Sequence, residues 1–237
     1  MQVTKMLKAI SVILFTLAGS VSLAKDVSEL PSPFVAKYEA YRHDKNIGTA
    51  ELSLKSTSDN LYQLKYFSKV SRFFLSDRRY ETSTFSFIDG KITPITYDFK
   101  RKGTGSNKSL NAEFDAKSQT IIISGQDNLK WEGEFDNQLF RIDISRQLAQ
   151  NKTQFEYKFL NYRGQKRLYK VEVVEKEIVT LPYGNIEAIK VRVNRDSRKR
   201  QTYAWFAPSL DYVLVRLQQF KDDEEQGDIR LNTYQKF

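Results

Sequence analysis

The sequence predicts a mainly β domain: one large antiparallel sheet forming an open or closed barrel or a sandwich, with one amphipathic helix at about 138–150. Three observations carry this expectation. Apolar and polar side chains alternate with period two along many short segments. Turn-forming residues fall between those segments. The chain is rich in aromatic residues, with 13 Tyr and 16 Phe, which suit a pleated and half-buried surface.

The first element is a leader. Lys5 and Lys8 precede an apolar run from Ala9 to Ala18, interrupted only by Ser11 and Thr16. Ser22-Leu23-Ala24 then places small residues where a signal peptidase reads. The run is shorter than the roughly 20 residues that span a bilayer. A signal peptide over residues 1–24, cut after Ala24, and a bacterial periplasmic location are therefore expected. Residues 25–33 carry Pro31 and Pro33 and read as an extended linker. Residues 34–237 form a single β-rich domain, large enough to bury a substantial core. No later stretch is apolar enough for a transmembrane helix.

The strands follow in order. Ala50, Leu52 and Leu54 alternate with polar neighbours, as do Leu64 and Tyr66, then Phe85 and Phe87. Ile95, Tyr97 and Phe99 continue the pattern, followed by Leu110, Ala112 and Phe114, then Ile121 and Ile123. The second half repeats it with Phe155, Tyr157 and Phe159, with Tyr169, Val171 and Val173, with Ile189, Val191 and Val193, and with Val213, Val215 and Leu217. Asp59-Asn60, Asp89-Gly90, Arg163-Gly164, Tyr183-Gly184 and Gln226-Gly227 supply the turns. Between the halves, Phe140, Ile144 and Leu148 recur every four residues, which is helical spacing. Asp136 or Asn137 can cap that helix, and it is expected to pack on the sheet or plug one end of a barrel.

Composition removes several chemistries. The chain has no cysteine, which excludes disulfides, thiolate metal sites, a Cys nucleophile and a lipid-modified N-terminal Cys. His43 is the one histidine, and it sits in the polar turn Arg42-His43-Asp44-Lys45-Asn46. No phosphate loop, nucleophile elbow or zinc pattern occurs. Gly103-Thr104-Gly105 lacks the Lys-Ser/Thr of a nucleotide loop and reads as a flexible turn. Asp222, Asp223, Glu224 and Glu225 crowd one turn, whereas catalytic acids need a shielded setting. No catalytic residue, metal ligand or cofactor is assigned.

The formal net charge is +9. Basic clusters lie at Arg78-Arg79, Lys100 to Lys102 and Arg195 to Arg200. Export argues against nucleic acid as their target, and leaves lipid, lipopolysaccharide or an envelope protein. Sheet-borne aromatics either fill the core or line a ligand cavity. The candidate ligand-binding residues are Tyr66, Phe85, Tyr97, Phe99, Phe114, Tyr203, Trp205 and Arg216. Trp131 belongs to the same aromatic set. Trp205 and Arg216 flank one hairpin and can make a cation–π contact.

A set of spaced motifs carries a family resemblance. They are Tyr38-Glu39-Ala40-Tyr41 with Ile47-Gly48-Thr49-Ala50-Glu51-Leu52, then Leu181-Pro182-Tyr183-Gly184-Asn185-Ile186-Glu187-Ala188. Ala204-Trp205-Phe206-Ala207-Pro208-Ser209-Leu210-Asp211-Tyr212, leading into Val215-Arg216-Leu217, is the most specific. Over about residues 34–235 the chain resembles the bacterial domain-of-unknown-function family 3108. Leu214 stands where that family usually has Pro. The resemblance implies an exported β-rich protein and no particular reaction. The expected function is a non-enzymatic periplasmic domain that binds an apolar, amphipathic or anionic envelope component. A structural or assembly factor is the alternative, with a carboxylate-dependent glycan hydrolase the third reading.

Overall fold

The computed structural model describes residues 30–72, 75–194 and 200–237. The expected signal peptide, most of the linker and Arg195 to Lys199 of one basic cluster lie outside the described residues. The first half is a meander of eight strands: β1 (Phe34–Arg42), β2 (Lys45–Ser58), β3 (Leu61–Arg72), β4 (Leu75–Ile88), β5 (Lys91–Gly103), β6 (Lys108–Asp115), β7 (Thr120–Ile123) and β8 (Leu129–Lys130). A short β9 (Phe135–Asp136) leads into the helix α1 (Leu139–Ala149). The second meander is β10 (Gln154–Leu160), β11 (Lys166–Leu181), β12 (Gly184–Asn194), β13 (Arg200–Ala207), β14 (Val213–Lys221) and β15 (Glu224–Lys236).

All fifteen strands belong to one sheet, in the order β8-β7-β6-β5-β4-β3-β2-β1-β15-β14-β13-β12-β11-β10-β9. The two meanders join where β1 pairs antiparallel with β15. Every neighbouring pair is antiparallel except β9 with β10. The sheet is not closed into a barrel. Its edges, β8 and β9, are linked through residues 131–134. Side chains bridge that seam instead: Leu160 of β10 is buried with Tyr97, Phe99, Phe114, Ile121 and Trp131. The open, curled form thus replaces the sandwich and the closed barrel among the expected alternatives.

Local chemistry explains the strand ends. His43-Asp44 and Asp222-Asp223 form two-residue turns with positive φ at both positions, which suits Asn, Asp and a short polar stretch. The acidic quartet is therefore half turn and half strand. Asp89-Gly90 makes a third such turn. Bulges interrupt several pairings, including β1 with β2 and β4 with β5, and bulges bend and twist a sheet. Pro94 sits beside the second of these, where a missing N–H costs the ladder least. Gly48 allows close approach of β2 and β3, because a Cβ there would lie 2.0 Å from the Lys69 carbonyl oxygen. Gly103 is equally tight against the Ser76 carbonyl oxygen, with Thr104 N–H bonded to the same oxygen at 2.9 Å. Gly103 is thus a packed strand end, and Thr104-Gly105 open the bend that leads to β6.

The helix spans Leu139–Ala149, close to the expected range. Asp136 caps it: its Oδ1 accepts from the Gln138 and Leu139 N–H groups at 2.8 and 3.0 Å. It is enclosed on more sides than an amphipathic surface helix. Phe140, Ile144 and Leu148 pack with Phe159, Val191 and Phe206 of the second meander. Leu139 and Ile142 pack with residues of β1, β2 and β3. Asp143 and Arg146 are buried too, and pair with one another at 2.9 Å. The helix is a wedge inside the curl.

Candidate functional site

Beside the first turn of α1 the curl encloses a cavity of about 650 Å³. Its walls come from β1, β2, β3, β4, β11, β13, β14 and β15, with Asn137 and Arg141 from the helix start and Tyr162 from the turn after β10. This volume is within the range of small-molecule sites, about 300–1,000 Å³. The lining is polar and aromatic. Arg42, Arg79, Arg141, Arg200 and Lys221 bring positive charge, and Asp77, Glu81 and Asp228 bring negative charge.

The acids are engaged by protein donors. Asp77 pairs with Arg101 at 2.9 Å and with Arg79 at 3.3 Å. Asp228 is fully buried and takes both Arg216, at 2.9 and 2.7 Å, and Arg230. Glu81 Oε2 accepts from the Tyr97 hydroxyl at 2.5 Å and from Asn137 Nδ2 at 2.8 Å. The cations are less committed. Arg42 gives its Nε to the Glu225 carbonyl at 3.1 Å. The Arg141 side chain makes no hydrogen bond or ion pair among the described residues. Its guanidinium lies 5.7 Å from the centre of the Tyr66 ring and 5.9 Å from that of Phe140, a cation–π arrangement. Arg200 has no carboxylate partner among the described residues either.

Buried titratable groups surround the cavity floor. Burial lifts Asp136 to about 7 against the pull of its N–H donors and Ser83, with Glu81 adding repulsion. Ser83 Oγ donates to Asp136 Oδ1 at 2.8 Å, while Oδ2 and the Gln138 side chain find no partner. Burial likewise raises the Tyr97 hydroxyl well above its ordinary value, helped by Glu81 and opposed by Arg141. Tyr38 is raised by burial, with the same opposing pull from Arg141. The positive field of Arg141 thus reaches two buried hydroxyls.

An apolar recess of about 30 Å³ adjoins the cavity between Arg141, Ile144, Tyr169, Phe206 and Leu214. That is room for about one water molecule. A separate cleft follows the seam, as two connected hollows of about 400 and 480 Å³ that share Gly133, Phe135 and Asp143. There Asp143 is saturated by Arg146, Gln147 and the Tyr157 hydroxyl, at 2.9, 2.8 and 3.0 Å. Among the described residues no group of three His, Cys, Asp or Glu side chains is placed to hold a metal. No helix among them is long and apolar enough to cross a membrane.

The eight sequence-predicted site residues separate into three places. Tyr66 lies on the cavity wall. Phe85, Tyr97, Phe99 and Phe114 are core side chains, each at most 5% exposed. Tyr203, Trp205 and Arg216 form a third cluster, on the face opposite Thr202, Ala204 and Leu217, which border the cavity and its recess. Trp205 is itself core there, 3% exposed, with Tyr203 packed against the same apolar cluster. In that cluster Arg216 stacks 4.8 Å from the Trp205 ring, and Trp205 Nε1–H donates to Glu177 at 2.7 Å. Trp131 is core at the seam, with its ring 5.7 Å from Phe114. His43 is exposed in its turn.

Arg141, Glu81, Asn137, Tyr162 and Tyr169 escaped the sequence reading. A signal existed for one of them. Glu81 and Ser83 fall in phase with Phe85, on the buried face of β4. A carboxylate in an apolar phase has to be paired or functional.

Solved structures resemble this fold. The crystal structure of the β-barrel-like protein of domain of unknown function DUF1849 from Brucella abortus aligns with a TM-score of 0.64 at 9% identity, covering 88% of this chain and 100% of that one. A candidate exported protein with a YmcC-like fold from Bacteroides fragilis aligns with a TM-score of 0.35 at 14% identity, covering 87% and 99%. The first likeness shows the fold alone. No curated protein matches the chain in sequence. The family profile described as "Protein of unknown function (DUF3108)" matches residues 37–230, most of the domain. The chain therefore belongs to the DUF3108 family.

Proposed function

We propose that the domain is a non-enzymatic binding module of the periplasm, exported by its leader, whose cavity holds the anionic part of an envelope component. Lipid and lipopolysaccharide both present such groups. One observation carries the reading: the Arg141 guanidinium stands in an aromatic-walled cavity with no ion-pair partner and no hydrogen-bond acceptor among the described residues. A partly buried guanidinium whose donors meet no acceptor is costly, and an incoming anion that takes those donors relieves that cost. The polar lining and the small apolar recess favour a headgroup over an acyl chain as the part enclosed.

Hydrolysis of glycans by paired carboxylates needs both acids at the scissile bond. Asp136 is committed to capping α1 and is absent from the cavity wall, and Asp228 on the wall is held by Arg216 and Arg230, which leaves Glu81 without a second acid. A second reading, an assembly factor, is favoured by β10. Among the described residues no strand flanks residues 154–158 on their outer side, because β9 covers only Phe159 and Leu160. An extended partner segment can add to such an edge.

Native mass spectrometry of protein purified from the periplasm tests the binding module. An acidic envelope molecule is expected to co-purify with the wild type and to be lost from Arg141→Gln. Retention of the same molecule by the variant, or a wild type that carries nothing, would overturn the reading.

A further inference from the structure

Resting on the anion-binding reading, we infer that the cavity selects a hydroxyl-bearing anion: a saccharide or polyol carrying phosphate or carboxylate, with the anion on Arg141 and a neighbouring hydroxyl on Glu81. The helix start brings these two groups together. Asn137 precedes the helix N-cap Gln138 and Arg141 is in the first turn, and both line the cavity. Asn137 fixes Glu81 by its 2.8 Å bond to Oε2, and the Tyr97 hydroxyl approaches the same oxygen at 2.5 Å. The other oxygen, Oε1, receives no donor among the described residues, although Glu81 is only 5% exposed and lines the cavity. Glu81 and Arg141 both stand on the wall of this one cavity.

The pairing is selective for a physical reason. A bare anion on Arg141 meets the negative charge of Glu81, whose second oxygen stays without a donor. Like charges at short range in a poorly solvated site repel strongly. A ligand with a hydroxyl beside its anion satisfies both groups, since the hydroxyl donates to Oε1 while the anion accepts from the guanidinium. The rings of Tyr66, Tyr162 and Tyr169 are also on the wall and can cover the C–H faces of such a ligand. A neutral saccharide satisfies Glu81 and leaves Arg141 without a counter-charge.

Calorimetric titration of the mature chain with mannose phosphate, inorganic phosphate and mannose tests this. Mannose phosphate is expected to bind about tenfold more tightly than inorganic phosphate, the effect of one hydrogen bond to a charged group. Mannose alone is expected not to bind. Glu81→Gln keeps acceptor and shape for Tyr97 and Asn137 but turns a donor toward the cavity. It should bind inorganic phosphate more tightly than the wild type and lose the preference for mannose phosphate. Arg141→Gln should lose both anions. Circular dichroism of each variant checks the fold.

Equal affinity of the wild type for the two phosphates overturns the selectivity and leaves anion binding standing. No phosphate binding by the wild type overturns both. Vesicles of phosphatidylcholine, with and without phosphatidylinositol, separate the sources of one chemistry. Capture only by the second supports a lipid headgroup. Binding of mannose phosphate without capture supports a soluble saccharide.

Discussion

The two sides of the α1 wedge make opposite use of the same strands. Along β13 the inward face reads Thr202, Ala204, Phe206. Thr202 borders the cavity, and Ala204 and Phe206 are buried against the helix. β14 behaves alike, with Gln219 and Leu217 on the cavity and Leu214 in the apolar cluster. One alternating pattern therefore runs from packed to hollow within a few residues. The side facing Phe140, Ile144 and Leu148 leaves about 30 Å³ empty, and the side facing Asn137 and Arg141 leaves about 650 Å³. The packed side holds the curl together, and the hollow side is free to keep polar groups that contribute little to stability. Variants on the packed side should cost stability and variants on the hollow side should cost binding.

The largest loss is expected from Phe140→Ala. Its ring lies 5.0 Å from Phe159, 5.8 Å from Tyr157 and 6.1 Å from Tyr169, so truncation opens a cavity in a closed aromatic group. Removing a buried Phe costs about 3–5 kcal/mol. Urea unfolding measures it, and a loss under about 1 kcal/mol would erase the contrast between the two sides.

Asp136 gives the next effect, through pH. Its folded value of about 7 lies above the ordinary 3.8, so the folded state holds an extra proton between those values. Stability contributed by that proton is complete below about 4 and is lost as pH rises through about 7. The loss is at most about 4 kcal/mol, since one unit is worth about 1.4 kcal/mol. Asp136→Asn retains an oxygen for the cap and has nothing to titrate, so its stability should be flat from pH 4 to 8. Asp44, Asp115 and Glu132 are lowered by their hydrogen-bond partners and act at more acidic pH, in both proteins alike. Denaturant melts of wild type and variant across pH give the difference curve. Parallel curves would mean that Asp136 is charged throughout.

Arg216→Ala tests the cluster around Trp205. It removes a two-bond partner of the fully buried Asp228 and the cation stacked on Trp205, but leaves Arg230 on Asp228. A cost of about 2 kcal/mol is expected, below the 3–5 kcal/mol of a buried pair left without any partner. Anion binding in the cavity should change little, because Arg216 is absent from the wall and Arg230 still pairs with Asp228, which is on it. A large loss of binding would join the Trp205 cluster to the site.

How much of this was legible in the sequence follows from what periodicity measures. Alternation located the strands, and fourfold spacing located α1, because burial on one face leaves those imprints. It could not distinguish Tyr66, which borders a void, from Phe85, which fills one. Both occupy inward positions, and the difference lies in what faces them from β13, β14 and the helix. Arg141 carried no mark, because a single cation beside Phe140 reads as the wet side of an amphipathic helix. Only the curl of the sheet, set by bulges and strand order, encloses that side. Glu81 is the opposite case: its place in the apolar phase of β4 was visible, and a polar residue there is worth following wherever alternation is otherwise clean.

The smallest stability effect, and the sharpest test of the contrast, belongs to Arg141→Gln. The guanidinium has no acceptor among the described residues to lose, and its ring contacts with Tyr66 and Phe140 are at the outer limit of cation–π range. Stability should therefore change by no more than about 0.5 kcal/mol, the range of substitutions that break no specific contact. Phe140, one residue away, should cost several times more while leaving the anion site occupied. If Arg141→Gln instead destabilises by about 2 kcal/mol or more in urea, the arginine is a structural strut and the hollow side is held by the same forces as the packed one.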